Sequence, residues 1–367
     1  MPVRAPIIIT TALLAAAAVA VPAAPALADP ARAAPTMAPG QAGPLTLNCS
    51  VHVLPVAITD PGPADQSMWG ELCYRGNREP ATVQLLVPGA TYNHLYWDFP
   101  YGDGYYSYVD AATAAGYATF DVDRIGTGNS SHPPSADVTI TAGAVALHDA
   151  VTALRDGAVD GHAFARVIEV GHSLGSFETW AEDAAYHDVD AVIITGALHQ
   201  WTPDIDTLAA EDVYPAVDDP KFASSGLDDG YITTRPGTRE ALFYDPATAD
   251  PAVVALDEAD KDTSTIPELD GLLEMTAEPA AQQPSSQVNV PVLIVVGADD
   301  NLFCAGVTEY NCASPASVRA YESQFYGAAP SLTVVTIPDT GHDLALSTTA
   351  PLTDAAMLAW SLTTVGP

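Results

Sequence analysis

Basic residues are scarce in this chain of 367 residues, which has 12 Lys and Arg against 46 Asp and Glu. Only Lys221 and Lys261 are lysines, and the formal net charge is −34. Such an acidic surface repels phosphate groups, so the composition argues against nucleic acid and against anionic lipid as partners. The excess acid instead predicts a well-solvated surface, as in an exported protein or one from a salty or acidic habitat.

Long apolar runs are also missing after the N-terminal region. Arg4, the apolar run 7–21 and the small-x-small site at 26–28 predict a signal peptide over residues 1–28. A membrane anchor is the alternative, but the run is short and is followed closely by two prolines. No twin arginine is present, which favours the general secretory route. Residues 29–43 are rich in Ala, Pro and Gly and predict a flexible lead-in to a secreted domain.

Cysteines are few as well, and their spacing matches no zinc pattern. Four cysteines in an exported chain favour two disulfides, and pairing nearest neighbours gives Cys49–Cys73 and Cys304–Cys312. This is one of three possible connectivities, and a zinc or redox role is the weaker alternative. No H-E-x-x-H motif and no dinucleotide-binding glycine pattern occurs, so we expect no metal and no cofactor.

The residues after about Leu45 alternate between short β-branched runs and helical segments. The region 45–77 predicts two or three strands, and later helices are expected to end at Ala115 (about a dozen residues) and to cover 142–154, 316–325 and 352–362. The clearest buried strands are predicted at 82–87, 117–123, 167–170, 190–196, 290–297 and 332–337. This alternation predicts an α/β domain over residues 44–367, with a mostly parallel central sheet and helices on both faces.

Between about His199 and Gln287 this alternation stops. The stretch is rich in Asp, Pro and aromatic residues, with short helical pieces at 252–259 and 268–277. Because the strand pattern resumes afterwards, we interpret residues 199–287 as a cap inserted over the carboxyl edge of the sheet. A separate second domain is the less favoured reading.

The segment Gly171-His172-Ser173-Leu174-Gly175 fits the G-x-S-x-G pattern, with a β-branched run before it and a helical segment after it. A sharp strand-to-helix turn pushes the Ser173 side chain outward and needs small neighbours at Gly171 and Gly175. The hydroxyl would then lie at a helix N-terminus, which favours a developing oxyanion.

A serine hydroxyl becomes a good nucleophile only beside a base, and the base needs an orienting acid. Asp299 or Asp300 follows the strand at 290–297, and His342 follows the last strand. The carboxyl ends of parallel strands share one sheet edge, so Ser173, one of these acids and His342 are expected to converge. His172, next to the serine, is expected to be structural.

In these motifs the chain resembles the α/β-hydrolase fold family from about Leu45 onward. Gly-His-Ser-Leu-Gly looks like its nucleophile elbow, Gly297-Ala298-Asp299-Asp300 like its acid turn, and Gly341-His342 like its histidine loop. The D-x-x-G-x-G-x-S segment at 123–130 is also similar to one in the family. The resemblance implies the triad Ser173, Asp300 and His342, with Asp299 as the less favoured acid.

Pro88-Gly89-Ala90 lies where many family members have His-Gly-x. The likeness implies that backbone N–H groups of Ala90 and Leu174 form an oxyanion hole, with Thr91 as the alternative to Ala90. Because Pro88 replaces a loop-orienting histidine, this part of the resemblance is the loosest.

The loop 88–94 follows a buried strand, at the edge where ligands bind in parallel sheets. Thr91, Tyr92, His94 and, at the start of the cap, His199 are therefore candidate substrate contacts, although either histidine could be structural. The aromatic residues at 96–108 could line an apolar groove or pack a helix onto the sheet, and both readings stay open.

The resemblance implies a secreted serine hydrolase that cleaves a carboxylic ester, with a small-molecule or lipid-like ester as its partner. A peptidase, thioesterase, lactonase or cofactor-free perhydrolase of the same fold is an alternative reading. A binding protein without catalysis is a further alternative, but such proteins usually lack one member of the triad.

Overall fold

The computed structural model describes residues 45–367, in which the chain forms eleven strands and nine α-helices. The strands are β1 (Leu47–Val56), β2 (Gln66–Arg75), β3 (Thr82–Val87), β4 (Ala118–Val122), β5 (Arg166–His172), β6 (Ala191–Thr195), β7 (Val213–Pro215), β8 (Tyr231–Thr234), β9 (Ser264–Thr265), β10 (Val292–Gly297) and β11 (Leu332–Ile337). The helices are α1 (Tyr108–Ala114), α2 (Ile140–Asp156), α3 (Leu174–Tyr186), α4 (Ile205–Asp212), α5 (Arg239–Phe243), α6 (Pro251–Asp260), α7 (Ile266–Ala277), α8 (Pro315–Glu322) and α9 (Ala350–Thr364).

Eight strands form one sheet in the order β1-β2-β4-β3-β5-β6-β10-β11. The six strands from β4 to β11 in that order run parallel, whereas β1 and β2 form an antiparallel pair at one edge. Strands β3, β4, β6 and β10 are buried throughout, and β5 is buried after its first residue, Arg166, since helices cover both faces of the sheet. The predicted α/β fold class is thereby confirmed.

The N-terminal part of the described chain forms two strands, the lower of the two numbers expected. The Cys49–Cys73 disulfide links β1 to β2 at directly opposite positions, and Cys304–Cys312 closes a short loop after β10. Both bonds follow the nearest-neighbour pairing. The predicted signal peptide, residues 1–28, and lead-in, residues 29–43, lie outside the described residues. None of the described helices has the length and apolar character to cross a bilayer.

The helix expected to end near Ala115 is shorter than predicted. Helix α1 has 7 residues, and the Ser107 side chain caps it by accepting a hydrogen bond from the Asp110 backbone amide. Before it, the chain turns through Gly104, whose φ of 85° a helix does not allow. The prediction of about a dozen helical residues was therefore wrong.

Five of the seven aromatic residues at 96–108 belong to the hydrophobic core, whereas Tyr101 and Tyr105 are exposed. Those at positions 96, 97, 99, 106 and 108 are all less than 5% exposed and pack on one face of the sheet. These side chains pack the segment onto the sheet, and they do not line the pocket described below. Of the two interpretations, a lining of an apolar groove or packing onto the sheet, the structure favours packing.

The segment between β6 and β10 contains helices α4 to α7 and a second, three-stranded antiparallel sheet, ordered β7-β8-β9. Helices α6 and α7 match the predicted helical pieces. The three strands have 3, 4 and 2 residues, which is too short for an alternating pattern to be visible in the sequence.

Arg124 joins this inserted segment to the main sheet. It follows β4, is 1% exposed, and its Nη1 donates to Glu178 of α3 at 3.0 Å and to Glu268 of α7 at 2.5 Å. Its Nη2 donates to the Gly89 carbonyl at 3.3 Å. Burial lowers the pKa of the guanidinium, but the two glutamates more than offset this, so Arg124 stays charged.

We expect Arg124→Met to destabilise the fold by about 3–5 kcal/mol, since two buried glutamates would lose their counter-charge. Urea unfolding measures this, and the deficit should shrink as the pH falls, because burial raises the pKa of Glu178 to about 7 and its protonation removes one of the uncompensated charges. Arg75→Met is the matched control. The Arg75–Asp110 pair is partly exposed, at 24% and 39%, so its loss should cost about 1 kcal/mol or less. Equal losses in the two variants would contradict this role of Arg124.

Candidate functional site

Ser173 lies at the sharp turn between β5 and α3. Its φ of 52° and ψ of −120° are strained for a residue with a side chain, and it is half-buried between fully buried neighbours. A Cβ on Gly171 would lie 2.6 Å from the Gly175 carbonyl oxygen, and one on Gly175 would lie 2.5 Å from the Val87 carbonyl oxygen. Both glycines are thus required for the close approach of strand and helix, as the motif predicts.

Asp300 and His342 meet at the same sheet edge. The His342 Nδ1 lies 2.9 Å from the Asp300 Oδ2, and both side chains are almost fully buried. The other carboxylate oxygen, Oδ1, accepts hydrogen bonds from the Leu302 and Phe303 amides at 2.7 and 3.2 Å. Asp299 is exposed and makes no such contact with His342. Of the two candidate acids, the geometry therefore favours Asp300.

The environment of His342 sets its protonation. Burial lowers its pKa, but the charge and the hydrogen bond of Asp300, together with the charge of Asp343, outweigh burial, and the net pKa is raised above its ordinary value. The neighbouring His172 ring lies 4.9 Å away and is fully buried against Tyr96. Burial, and then His342, hold the pKa of His172 well below its ordinary value. His172 is therefore neutral and adds no second positive charge beside His342.

A second buried ion pair lies next to the histidine loop, and the motifs gave no sign of it. Arg239 of α5 donates to both carboxylate oxygens of Asp257 at 2.9 and 2.8 Å. The Arg239 guanidinium lies 4.2 Å from the centre of the Tyr92 ring, and the Tyr92 hydroxyl donates to Asp343. These contacts connect the inserted segment to the residue that follows His342. The only hint in the sequence is that Arg239 is one of few basic residues in a segment rich in Asp.

The loop after β3 packs directly on Ser173. A Cβ on Gly89 would lie 3.0 Å from the Ser173 Cβ, so the chain approaches the serine as closely as a glycine permits. The backbone amides of Ala90 and Thr91 donate to no other described residue, and Leu174 begins α3 with an N–H that has no intrahelical acceptor. These amides are available as donors near the Ser173 side chain. Thr91 has a φ of 62°, which bends the loop at this point.

Ser173 and His342 line one pocket of about 110 Å³. Apart from His342 and Tyr92, Asp212 is its only ionisable lining residue in the described part of the chain. The loop after β3 contributes Ala90, Thr91 and Tyr92. Most of the remaining wall is apolar and comes from the inserted segment, with Ile205, Ala209, Val213, Ile232, Leu242, Phe243, Leu269, Leu272 and Leu273.

Two of the predicted substrate contacts lie elsewhere. The His94 Nδ1 is 2.7 Å from the Asp123 carboxylate, and its ring packs on Trp69. His199 is stacked on Phe325, with both ring nitrogens bonded, one to Glu322 at 2.6 Å and the other to Ser285 at 2.8 Å. The structure therefore brings Thr91 and Tyr92 to the pocket but not His94 or His199. The contacts of these two histidines favour a structural role for both.

Comparison with known proteins agrees with this architecture. A sequence model of the alpha/beta hydrolase family matches residues 84–355. Because the match covers well over half of the chain, the chain belongs to the alpha/beta hydrolase family. A search of curated protein sequences gave no significant match.

Solved structures of the same fold include a thermophilic esterase from Thermogutta terrifontis, with 17% identity and a TM-score of 0.57 over 87% of this chain and 100% of that one. An esterase domain from Rhodothermus marinus has 16% identity and a TM-score of 0.50 over 87% and 100%. A bromoperoxidase from Bacillus anthracis has 18% identity and a TM-score of 0.54 over 85% and 99%. At these identities the likeness shows the fold alone.

We expect an NMR titration of the imidazole groups to give His342 a pKa above its ordinary value and to leave His172 neutral throughout. In Asp300→Asn the Coulomb attraction is lost while burial remains, so the pKa of His342 should fall. Asp299→Asn, on the exposed neighbour, should leave it unchanged. An Asp299 variant that shifts His342 more than the Asp300 variant does would contradict the assignment of the acid.

Proposed function

We propose that this chain is a secreted serine hydrolase that cleaves a carboxylic ester through an acyl-enzyme. The main support is that Ser173 and His342 line one apolar pocket while His342 is bonded to the buried Asp300 at 2.9 Å. This is the arrangement of a nucleophile, a base and an orienting acid. The alpha/beta hydrolase fold and its esterase neighbours are in keeping with the proposal.

In the first step the Ser173 hydroxyl attacks the acyl carbonyl carbon, and its proton passes to the His342 Nε2. Asp300 accepts a hydrogen bond from the Nδ1–H, which fixes the tautomer that leaves Nε2 free to take the proton. The imidazolium formed in this step is stabilised by the same carboxylate, which is held in place by the Leu302 and Phe303 amides.

The negative charge on the carbonyl oxygen needs donors that are already oriented. The Leu174 amide and that of Ala90, or Thr91 in its place, are the candidates, since they have no acceptor in the described structure and adjoin Ser173. His342 then protonates the leaving alkoxide, and the alcohol departs. Water, deprotonated by His342, attacks the acyl-serine and releases the acid, restoring the free hydroxyl.

The pocket supports an uncharged ester with a short acyl group. Its walls are largely apolar, its volume is about 110 Å³, and its ionisable lining groups are His342, Tyr92 and the acid Asp212. Burial raises the pKa of Asp212, but the ordinary pKa of this side chain is low. An acidic side chain in the pocket wall would disfavour an anionic substrate. A peptidase needs room for chain on both sides of the scissile bond, which this small apolar pocket does not favour.

Secretion forms part of the same proposal. It rests on the sequence pattern of residues 1–28, and the two disulfides are compatible with it because such bonds persist in oxidising compartments. Secretion predicts that the chain is found outside the cells of its host and that its first residue lies near Asp29.

We expect Ser173→Ala to lower kcat/KM for p-nitrophenyl acetate by about 10⁵–10⁶-fold, since the nucleophile itself is lost. Labelling by a fluorophosphonate probe should disappear as well. Ser264→Ala is the matched control, because Ser264 also lines the pocket but its hydroxyl donates to Glu268 rather than to His342. That variant should keep labelling and activity. Full esterase activity in Ser173→Ala, or labelling of another residue, would refute the proposal.

The acyl preference follows from the size of the pocket. Across p-nitrophenyl esters from acetate to laurate, we expect kcat/KM to fall by at least about tenfold beyond the short chains, because longer chains exceed the apolar space. Amide and thioester analogues and a triglyceride emulsion should be run beside this series. Faster cleavage of the amide would favour a peptidase, and faster cleavage of the emulsion a lipase.

A further inference from the structure

A group of acidic and histidine side chains lies away from the pocket, where helices α2 and α3 meet. His148 belongs to α2, Glu182 to α3, and Asp188 to the loop that leads to β6. The His148 Nδ1 lies 2.6 Å from the Asp188 Oδ2 and 3.9 Å from the Glu182 Oε1. The three donor atoms all lie within 4.8 Å of one another.

Glu182 is the unusual member of this group. It is fully buried, and neither of its carboxylate oxygens has a hydrogen-bond partner among the described residues. One oxygen of Asp188 and one of the adjacent buried Glu169 also have none within residues 45–367. A buried carboxylate without partners is costly, so such a group is expected to be neutralised by a proton or by a cation.

The geometry favours a cation over protons alone. Protons could be shared between Glu182 and its neighbours Glu169 and Asp188, since burial raises the pKa of both glutamates, but protons alone do not account for a nitrogen donor that converges with two carboxylates within 4.8 Å. His148 is stacked on Tyr186 at 3.8 Å, which fixes the direction of its ring. His148 and Asp188 are 31% and 22% exposed, so a path from solvent exists.

We propose that His148, Glu182 and Asp188 form a binding site for a divalent metal ion that takes mixed nitrogen and oxygen donors, as Zn²⁺ and Mn²⁺ do. Three protein ligands and a solvent-facing fourth position are a usual set for Zn²⁺. Donor atoms at about 2.1 Å from a tetrahedral metal lie about 3.4 Å apart, so the 2.6 Å contact would lengthen and the 3.9 Å contact would shorten, each by roughly 0.5–0.8 Å. These three ligands are far apart in the chain and match no short motif, which is why the sequence patterns predict no metal.

The proposed ion would fasten α2 to α3, the helix that begins at Leu174. Glu182 is eight residues farther along α3, a distance of about 12 Å along the axis. The site is therefore separate from the pocket, and its role would be to stabilise the helix that positions Ser173. It depends on none of the catalytic assignments above.

Titration calorimetry of the EDTA-treated full chain with Zn²⁺, and in parallel with Mn²⁺, tests this site directly. We expect saturable binding at one ion per chain and a melting temperature raised by roughly 3–5 °C in excess metal. Glu182→Gln and His148→Gln should each weaken binding at least about 100-fold, since even the loss of an outer partner costs 10- to 100-fold.

His187→Asn is the matched control, because His187 is exposed, lies beside Asp188 in sequence and belongs to no ligand set. It should bind the metal like the unaltered chain. Absence of saturable binding by either ion would overturn the proposal and leave shared protons as the explanation. Binding that persists unchanged in His148→Gln would also overturn it, even if Glu182→Gln failed to fold.

Discussion

The buried guanidinium of Arg124 is the interaction on which the arrangement of the site depends. It bonds Glu178 in the helix that follows Ser173, Glu268 in the inserted segment and the Gly89 carbonyl in the loop beside the serine. Three parts of the chain that are distant in sequence are thereby fixed around one positive charge. Such a charge is stable in the core only while both glutamates face it. The main sheet and the inserted segment are consequently held together at the serine.

The inserted segment contributes to the site in two ways: its charged residues support the histidine loop, and its apolar residues form the pocket wall. Its buried Arg239–Asp257 pair contacts Tyr92, which in turn bonds Asp343, and so braces the loop that holds His342. Its apolar residues instead form most of the pocket wall. Ser173, Asp300 and His342 thus follow the ends of sheet strands, whereas most of the pocket wall comes from the insertion. The insertion also supports the position of His342, so the two parts of the site are coupled.

Much of the fold could be predicted because buried parallel strands leave continuous β-branched runs in the sequence. The turn at Ser173 could be predicted for a similar reason, since the close approach of strand and helix requires Gly171 and Gly175. The strands of the insertion could not, because they have at most 4 residues. The partners of Arg124 and the bonds that bury His199 were also missed. They join positions with no fixed spacing, and each residue alone resembles an ordinary charged or polar side chain.

The central claim is that Ser173, with His342 and Asp300, cleaves an ester through a covalent acyl-enzyme. Stopped-flow hydrolysis of p-nitrophenyl acetate, quenched for peptide mapping by mass spectrometry, tests it most directly. The account predicts a burst of p-nitrophenol close to one equivalent per chain and an acetyl group on the peptide that contains Ser173. A linear time course with no acylated peptide, or acetylation confined to another residue, would contradict it.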